Sequence, residues 1–214
     1  MNRHDLVHLS PTAWRTLIGE PAVRAADPLL AVWADRGWPL VGRRPHAGEA
    51  HGVPAGLPLP PSAGKKRLAF LIPPEDVVAV VPPPTAASTI HAAPPAWRET
   101  LLRLSRLAAQ HGAEARVFGS LAWQAITGLD YLTDRSDLDF TLHVRRDTPI
   151  RRLAEAVADL EIDAPMRLDG EFIRGGCAVN WRELHGGARE LLVKTVAGIT
   201  LFDTSEFLSG RIPA

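Results

Sequence analysis

A single cysteine, Cys177, stands in the 214 residues. That excludes an internal disulfide and any multi-cysteine zinc site. Net charge is also missing: 24 Lys and Arg offset 24 Asp and Glu, with a pI near 7.1. Phosphate neutralisation supplies much of a nucleic-acid binder's affinity and normally shows as a basic excess. No nucleic-acid partner is therefore expected, and any anion site must be a local patch. No apolar run approaches the roughly 18–20 residues of a membrane span, so no membrane partner is expected either. The opening Met1-Asn2-Arg3-His4-Asp5 is polar and leads into no signal-peptide core. The expectation is a soluble protein of a reducing compartment, the cytoplasm, whose 46% hydrophobic content suffices for a core.

Proline, by contrast, is abundant, at 19 residues, about 9% against a usual ~5%. The densest stretch runs from Pro82 to Pro95. Proline fixes φ and donates no backbone hydrogen bond, so this stretch reads as a semi-rigid linker with neither helix nor central strand. It divides the chain into an N-terminal substrate- or partner-binding domain (1–81), a linker (82–95) and a catalytic domain (96–214). In the first part, Ser10-Pro11 and Asp27-Pro28 each open a short helix, stopped by Gly19 and Gly37. Pro39 to Arg44 and Lys66 to Ile72 read as extended. Gly52 to Pro61 between them reads as a loop, and Pro74 to Val80 as another short helix.

The second part is more regular. Trp97, Leu101, Leu104, Leu107 and Ala108 recur at helical spacing up to Gly112. Arg116 to Phe118 is a strand running into Gly119-Ser120 and a helix, and Asp137 to Val144 is a strictly alternating strand. Thr148-Pro149 caps a helix striped by Ile150, Leu153, Val157 and Leu160. Met166 to Ile173 is a further strand, and Glu190 to Phe202 a hairpin turning at Ala197-Gly198. The fold class is α+β: a small N-terminal domain of helices and strands, then a mixed sheet with flanking helices.

Alternation on the strand Asp137-Leu138-Asp139-Phe140-Thr141-Leu142-His143-Val144 points Leu138, Phe140, Leu142 and Val144 into a core. Asp137, Asp139, Thr141 and His143 share the other face. Two carboxylates so placed repel unless a cation lies between them. Hard divalent ions such as Mg²⁺ bind one or two carboxylates plus substrate phosphates, and a pair of ions can clamp the entering and leaving oxygens of a displacement at phosphorus. An isolated Asp-x-Asp is common as a solvated strand face. What singles this one out is the upstream turn, where Gly119-Ser120 opens a helix. Helix-opening N–H groups lack internal partners and bind phosphate, glycine admits close backbone approach, and the Ser120 hydroxyl adds a donor.

A strand, a Gly-Ser turn, a helix and a strand carrying Asp-x-Asp resemble the nucleotidyltransferase fold of the DNA polymerase β superfamily, over roughly Arg116 to Phe172. The resemblance implies a triphosphate on Gly119 and Ser120, and metal (Mg²⁺) on Asp137 and Asp139. The connection from Ser120 to Asp137, 16 residues, is longer than many members show. A third carboxylate on the next strand usually acts on the attacking hydroxyl. In Met166-Arg167-Leu168-Asp169-Gly170-Glu171-Phe172, Asp169 is the first choice and Glu171 the reserve.

Trp38-Pro39-Leu40-Val41-Gly42-Arg43-Arg44-Pro45, the Gly52–Pro61 stretch and Gly64-Lys65-Lys66-Arg67-Leu68-Ala69-Phe70 resemble one small family. Asp169-Gly170-Glu171, Asn180-Trp181-Arg182-Glu183-Leu184 and Leu192-Val193-Lys194-Thr195 fit it too. It is the phosphoribosyl-dephospho-CoA transferase of malonate decarboxylase, its holo-acyl-carrier-protein synthase. The resemblance implies prosthetic-group attachment. A serine of the apo acyl-carrier subunit of malonate decarboxylase attacks 2′-(5″-triphosphoribosyl)-3′-dephospho-CoA, and diphosphate leaves. A nucleotidyltransferase with another acceptor (small molecule, RNA or protein hydroxyl) and a non-catalytic binding module on the same fold stay open. So anionic a substrate needs local cations, and Arg43, Arg44, Lys66 and Lys194 are the candidates, with Lys65 and Arg67 beside them. A solvated charge cluster explains Lys65-Lys66-Arg67 equally well. His46 and His51 read as structural, and Cys177 as a packed thiol.

Overall fold

Strand β1 (Leu6–Leu9) leads through Ser10 into α1 (Pro11–Gly19), the Ser10 hydroxyl accepting from the Ala13 N–H at 3.0 Å. The structure is a computed structural model and describes residues 1–21, 27–49 and 51–213. Chain contacts divide it into two units, Met1–Pro83 and Pro84–Ala214, each a mixture of helix and strand.

In the first unit, α2 (Leu29–Arg36) is capped by Asp27, whose carboxylate takes the Leu29 N–H, and stops at Gly37 in the left-handed conformation. Its Trp33 is fully buried and donates to the Pro39 carbonyl at 3.0 Å. Strands β2 (Leu40–Gly42), β3 (Val53–Pro58), β4 (Arg67–Ile72) and β5 (Val77–Val81) complete an antiparallel sheet in the order β4-β3-β2-β1-β5.

Two expectations fail here. The Gly52–Pro61 stretch is not a loop, because β3 pairs with both β2 and β4. The Leu59 amide donates to the Lys66 carbonyl, so by alternation Pro54 and Pro58 turn their nitrogens away from β4. They face the side where β2 is only three residues long, and no ladder bond to β4 is lost. Pro74 to Val80 is not a helix either. One 3₁₀ turn, Pro74–Asp76, gives way to β5, whose four valines are stiff, β-favouring side chains.

The stretch 82–95 is also not a helix-free, semi-rigid linker. The Thr85 hydroxyl caps α3 (Ala86–Thr89), and 3₁₀ turns follow at Ile90–Ala92 and Pro95–Trp97. Proline excludes helix only at interior positions, and here the prolines flank the turns. Ala86, Ala93 and Trp97 are buried in the second unit's core.

That core lies between helices α4 (Arg98–Gln110) and α6 (Ile150–Ile162) and one face of a six-stranded sheet. The strands are β6 (Glu114–Val117), β7 (Leu138–His143), β8 (Leu168–Arg174), β9 (Cys177–Asn180), β10 (Glu190–Lys194) and β11 (Ile199–Asp203), in the order β11-β10-β9-β8-β7-β6. Only β7 and β8 run parallel, with α6 as their crossover. Helix α5 (Gly119–Thr127) follows β6, α7 (Trp181–His185) follows β9 and α8 (Thr204–Leu208) follows β11. The Thr148 hydroxyl accepts from the Arg145 N–H rather than capping α6. Leu138, Phe140 and Leu142 are fully buried, as alternation predicts. Phe140 lies against Gly170, where a Cβ would come within 2.6 Å of the ring; the aromatic therefore needs a glycine opposite it on β8.

Candidate active site

Gly119 begins α5 with φ +67°, a conformation that costs glycine little. The preceding Phe118 N–H donates to the Asp139 carbonyl at 3.0 Å, tying the turn to β7. A Cβ at Gly119 would collide with the Asp139 carboxylate, its Cγ being 2.8 Å away. The opening of α5 thus lies directly against Asp139, with Ser120 half-buried beside it.

The parallel pairing of β7 and β8 places Asp139 opposite Asp169 and Thr141 opposite Glu171. Residues in register project to the same face, so the two aspartates adjoin on the face away from the core. Asp137 precedes β7, 3.6 Å from the Arg167 guanidinium. The structure therefore brings together Gly119, Ser120, Asp137, Asp139 and Asp169.

The 16 residues between Ser120 and Asp137 are organised by Gln124. Its side-chain oxygen accepts from the Tyr131 and Leu132 N–H groups, and its amide donates to the Ala92 carbonyl. Burial raises the Tyr131 hydroxyl pKa well above its ordinary value. The long connection folds back onto α5.

Glu171 is buried and accepts a 2.7 Å hydrogen bond from Lys194 Nζ. Lys194 is thus committed to the reserve carboxylate, with its remaining donors available. Asp169 instead accepts from the Asn180 amide at 3.4 Å. Of these two carboxylates, only Asp169 stands in register with Asp139.

The other cation candidates belong to the first unit. All five Arg43 N–H donors are used there: two on Glu49, at 2.6 and 2.7 Å, and one each on the carbonyls of Arg44, Ala55 and Phe70. That geometry makes Arg43 a pin for the turn before β3. Arg44 is half-buried, and Lys65, Lys66 and Arg67 are exposed. Cys177 is a buried free thiol whose pKa burial pushes up, which suits packing.

Sequence reasoning gave Asn180 and Arg182 no role beyond the family resemblance, and passed over Glu161. Arg182 makes a bidentate pair with Glu161 and lies over the Trp181 ring, 4.4 Å from its centroid. Glu161 chiefly, then the Asp169 and Asp137 charges, hold this guanidinium more firmly protonated than usual. The Arg182 hydrogen bonds in turn keep the Glu161 carboxyl below the ordinary range. Nothing local in the sequence links residues 161 and 182.

Among the described residues no three His, Cys, Asp or Glu side chains form a metal-holding group. The donor chemistry fits a hard divalent ion all the same: Asp137 and Asp139 supply carboxylate oxygens, and substrate phosphates would complete the shell. No helix of the described residues is long and apolar enough to cross a membrane.

Comparison with known proteins matches residues 2–83 to the family "Phosphoribosyl-dephospho-CoA transferase MdcG N-terminal domain" and residues 85–205 to "Phosphoribosyl-dephospho-CoA transferase MdcG C-terminal domain". A curated relative from Bradyrhizobium diazoefficiens, named phosphoribosyl-dephospho-CoA transferase, is 52% identical over 97% of this chain and 92% of its own. Relatives of the same name from Xanthomonas campestris and Xanthomonas euvesicatoria are 35% and 37% identical, covering 99% and 90% of this chain and the same shares of their own. No solved structure matches significantly. With both units matched and relatives aligned over nearly all of it, the chain belongs to the phosphoribosyl-dephospho-CoA transferase family and is a transferase enzyme.

Proposed function

We propose that the second unit is a nucleotidyltransferase site of the DNA polymerase β type. It would transfer the phosphoribosyl-dephospho-CoA group of 2′-(5″-triphosphoribosyl)-3′-dephospho-CoA to a serine of the apo acyl-carrier subunit of malonate decarboxylase. The relatives' shared name supports the transferred group. The observation that carries the chemistry is the opening of α5 pressed against Asp139, which stands in register with Asp169.

The backbone amides at Gly119 and Ser120, with the Ser120 hydroxyl, hold the β- and γ-phosphates, as helix openings do. Asp169 accepts the proton of the incoming serine hydroxyl. The serine oxygen then bonds to the α-phosphorus, the bond from that phosphorus to the diphosphate oxygen breaks, and diphosphate leaves with the electron pair. Mg²⁺ held on Asp137 and Asp139 would supply charge neutralisation for the α-phosphate and the leaving diphosphate. Arg167, beside Asp137, adds a cation at the rim.

The test is incubation with apo-carrier, Mg²⁺ and the triphosphoribosyl substrate, followed by intact-mass measurement of the carrier. The carrier should gain one phosphoribosyl-dephospho-CoA on serine, with diphosphate released. An unmodified carrier, together with nucleotidyl transfer onto RNA or a small hydroxyl compound, would overturn the acceptor assignment.

A further inference from the structure

Strand β9 stops at Asn180, opposite Glu171 on β8, so the ladder on that side of β8 ends short of Leu168. The adjacent Arg167 carbonyl bonds to the Leu138 N–H of β7. By alternation the N–H and C=O of Leu168 point the opposite way, to where no strand remains. Both are nonetheless satisfied, and by side chains. Glu161 at the end of α6 accepts the Leu168 N–H at 2.8 Å. Trp181 Nε1 and Arg182 Nη2 donate to the Leu168 carbonyl at 3.0 and 3.2 Å. The Arg182–Glu161 pair closes the ring. That carbonyl belongs to the peptide that carries Asp169, and the Asp169 side chain receives the Asn180 amide.

From this geometry we infer that Asn180, Trp181, Arg182 and Glu161 form a positioning clamp for Asp169, substituting side chains for a missing strand. The inference rests on the proton-accepting role of Asp169 proposed above. Three consecutive residues at the β9–α7 junction hold one strand end: Asn180 the carboxylate, Trp181 and Arg182 the peptide before it. Trp181 is buried, which fixes its indole. Arg182 is fixed by its fork on Glu161 and by the Trp181 ring beneath it. Asn180 has two jobs, since its oxygen caps α7 by accepting the Arg182 N–H at 2.9 Å. A base displaced by even an ångström loses much of its rate advantage. The clamp therefore acts on turnover through Asp169 and leaves substrate binding alone.

The test is a mutant cycle with an exchange measurement on the full chain. Glu161→Ala and Arg182→Ala should each lower kcat by about 10- to 100-fold, with KM for the triphosphoribosyl substrate within about threefold of wild type. In an Asp169→Asn background the same changes should move the residual rate by less than about threefold, because their effect passes through the missing base. Glu161→Gln keeps an oxygen for the Leu168 N–H and should recover part of the loss. Asn180→Asp keeps the cap on α7 but replaces the donor to Asp169 with a like charge, so kcat should fall about tenfold or more. Hydrogen exchange at the Leu168 amide should quicken at least about tenfold in Glu161→Ala, with β7 amides unchanged. If the clamp mutations multiply with a slow Asp169→Asn enzyme, or Leu168 exchange stays at the wild-type rate, the clamp is overturned and the proposed function stands. An Asp169→Asn enzyme at the wild-type rate would remove the base and the clamp together.

Discussion

Gly119 and Asp139 are packed so closely that any side chain at 119 would occupy the space of the aspartate carboxylate. Gly119→Ala meets two penalties at once, a left-handed φ of +67° and the collision. The Asp139 side chain or the opening of α5 must move, and either change opens the candidate phosphate cradle. The expected result is a loss of transfer of at least about 100-fold. The stability cost should be modest, about 1–3 kcal/mol, because the site lies on the sheet face away from the core. Steady-state kinetics alongside thermal unfolding checks both parts.

The aspartates themselves should separate activity from folding. Asp137→Asn, Asp139→Asn and Asp169→Asn each keep side-chain volume while removing one carboxylate charge from the sheet face away from the core. Each should abolish or nearly abolish transfer, by about 10²-fold or more, and leave Tm nearly unchanged, since an exposed pair such as Asp137–Arg167 contributes little. Glu171→Gln should behave differently, lowering stability through its broken pair with Lys194. Intact-mass assays of carrier modification and thermal scans on the four variants decide the matter, and normal turnover in Asp139→Asn would overturn the proposed chemistry.

Most of this candidate site is legible in the sequence because its signals are local. Period-two alternation on 137–144 sorted Asp139 from Phe140, and the Gly119-Ser120 turn announced a helix opening. What the sequence concealed depends on pairings distant along the chain. Proline in β3 is tolerated only because β2 is short on the side its nitrogens face. Valines 77, 78, 80 and 81 become a strand because β1 offers an edge. The stretch after Pro84 becomes helical turns because Ala86 and Ala93 can be buried against β6 and α4. Glu161 and Arg182 meet only after the β7–α6–β8 crossover has formed. Tertiary contacts decide such cases, and local composition misreads them.

The sequence marks Lys194 as a candidate phosphate contact, while in the structure its Nζ is bonded to buried Glu171. Removing the lysine alone leaves a buried carboxylate without that partner, a cost of about 3–5 kcal/mol for well-buried pairs. The Lys194 side chain is 27% exposed, which places the expectation nearer 2 kcal/mol after allowance for solvent screening. Lys194→Met should therefore lower Tm clearly, and Lys194→Met with Glu171→Gln should recover much of the loss. A phosphate ligand would behave in the reverse way, raising KM for the triphosphate in both variants with little change in Tm. Measuring KM and Tm on the single and double variants distinguishes the two roles.

Arg43 and Glu49 make the first unit's stability depend on acid. The bidentate guanidinium, helped by the His46 N–H, holds the Glu49 carboxyl down to about 2 from its ordinary 4.5. A carboxylate with a depressed folded-state pKa contributes stability that is complete above its unfolded value and is lost as pH falls through the folded one. The contribution should therefore be whole above about pH 4.5 and drain away between there and pH 2. In Arg43→Ala, Glu49 should titrate closer to its ordinary value, though still below it through the His46 N–H, and unfolding should become less pH-dependent across that window. The stability gap between the two proteins should narrow towards pH 2 without closing, because the Arg44, Ala55 and Phe70 carbonyls still lose their donor at every pH. NMR titration of Glu49, with urea unfolding at pH 7, 4 and 2.5, tests this. A constant gap across the three would show that the pair contributes nothing through charge.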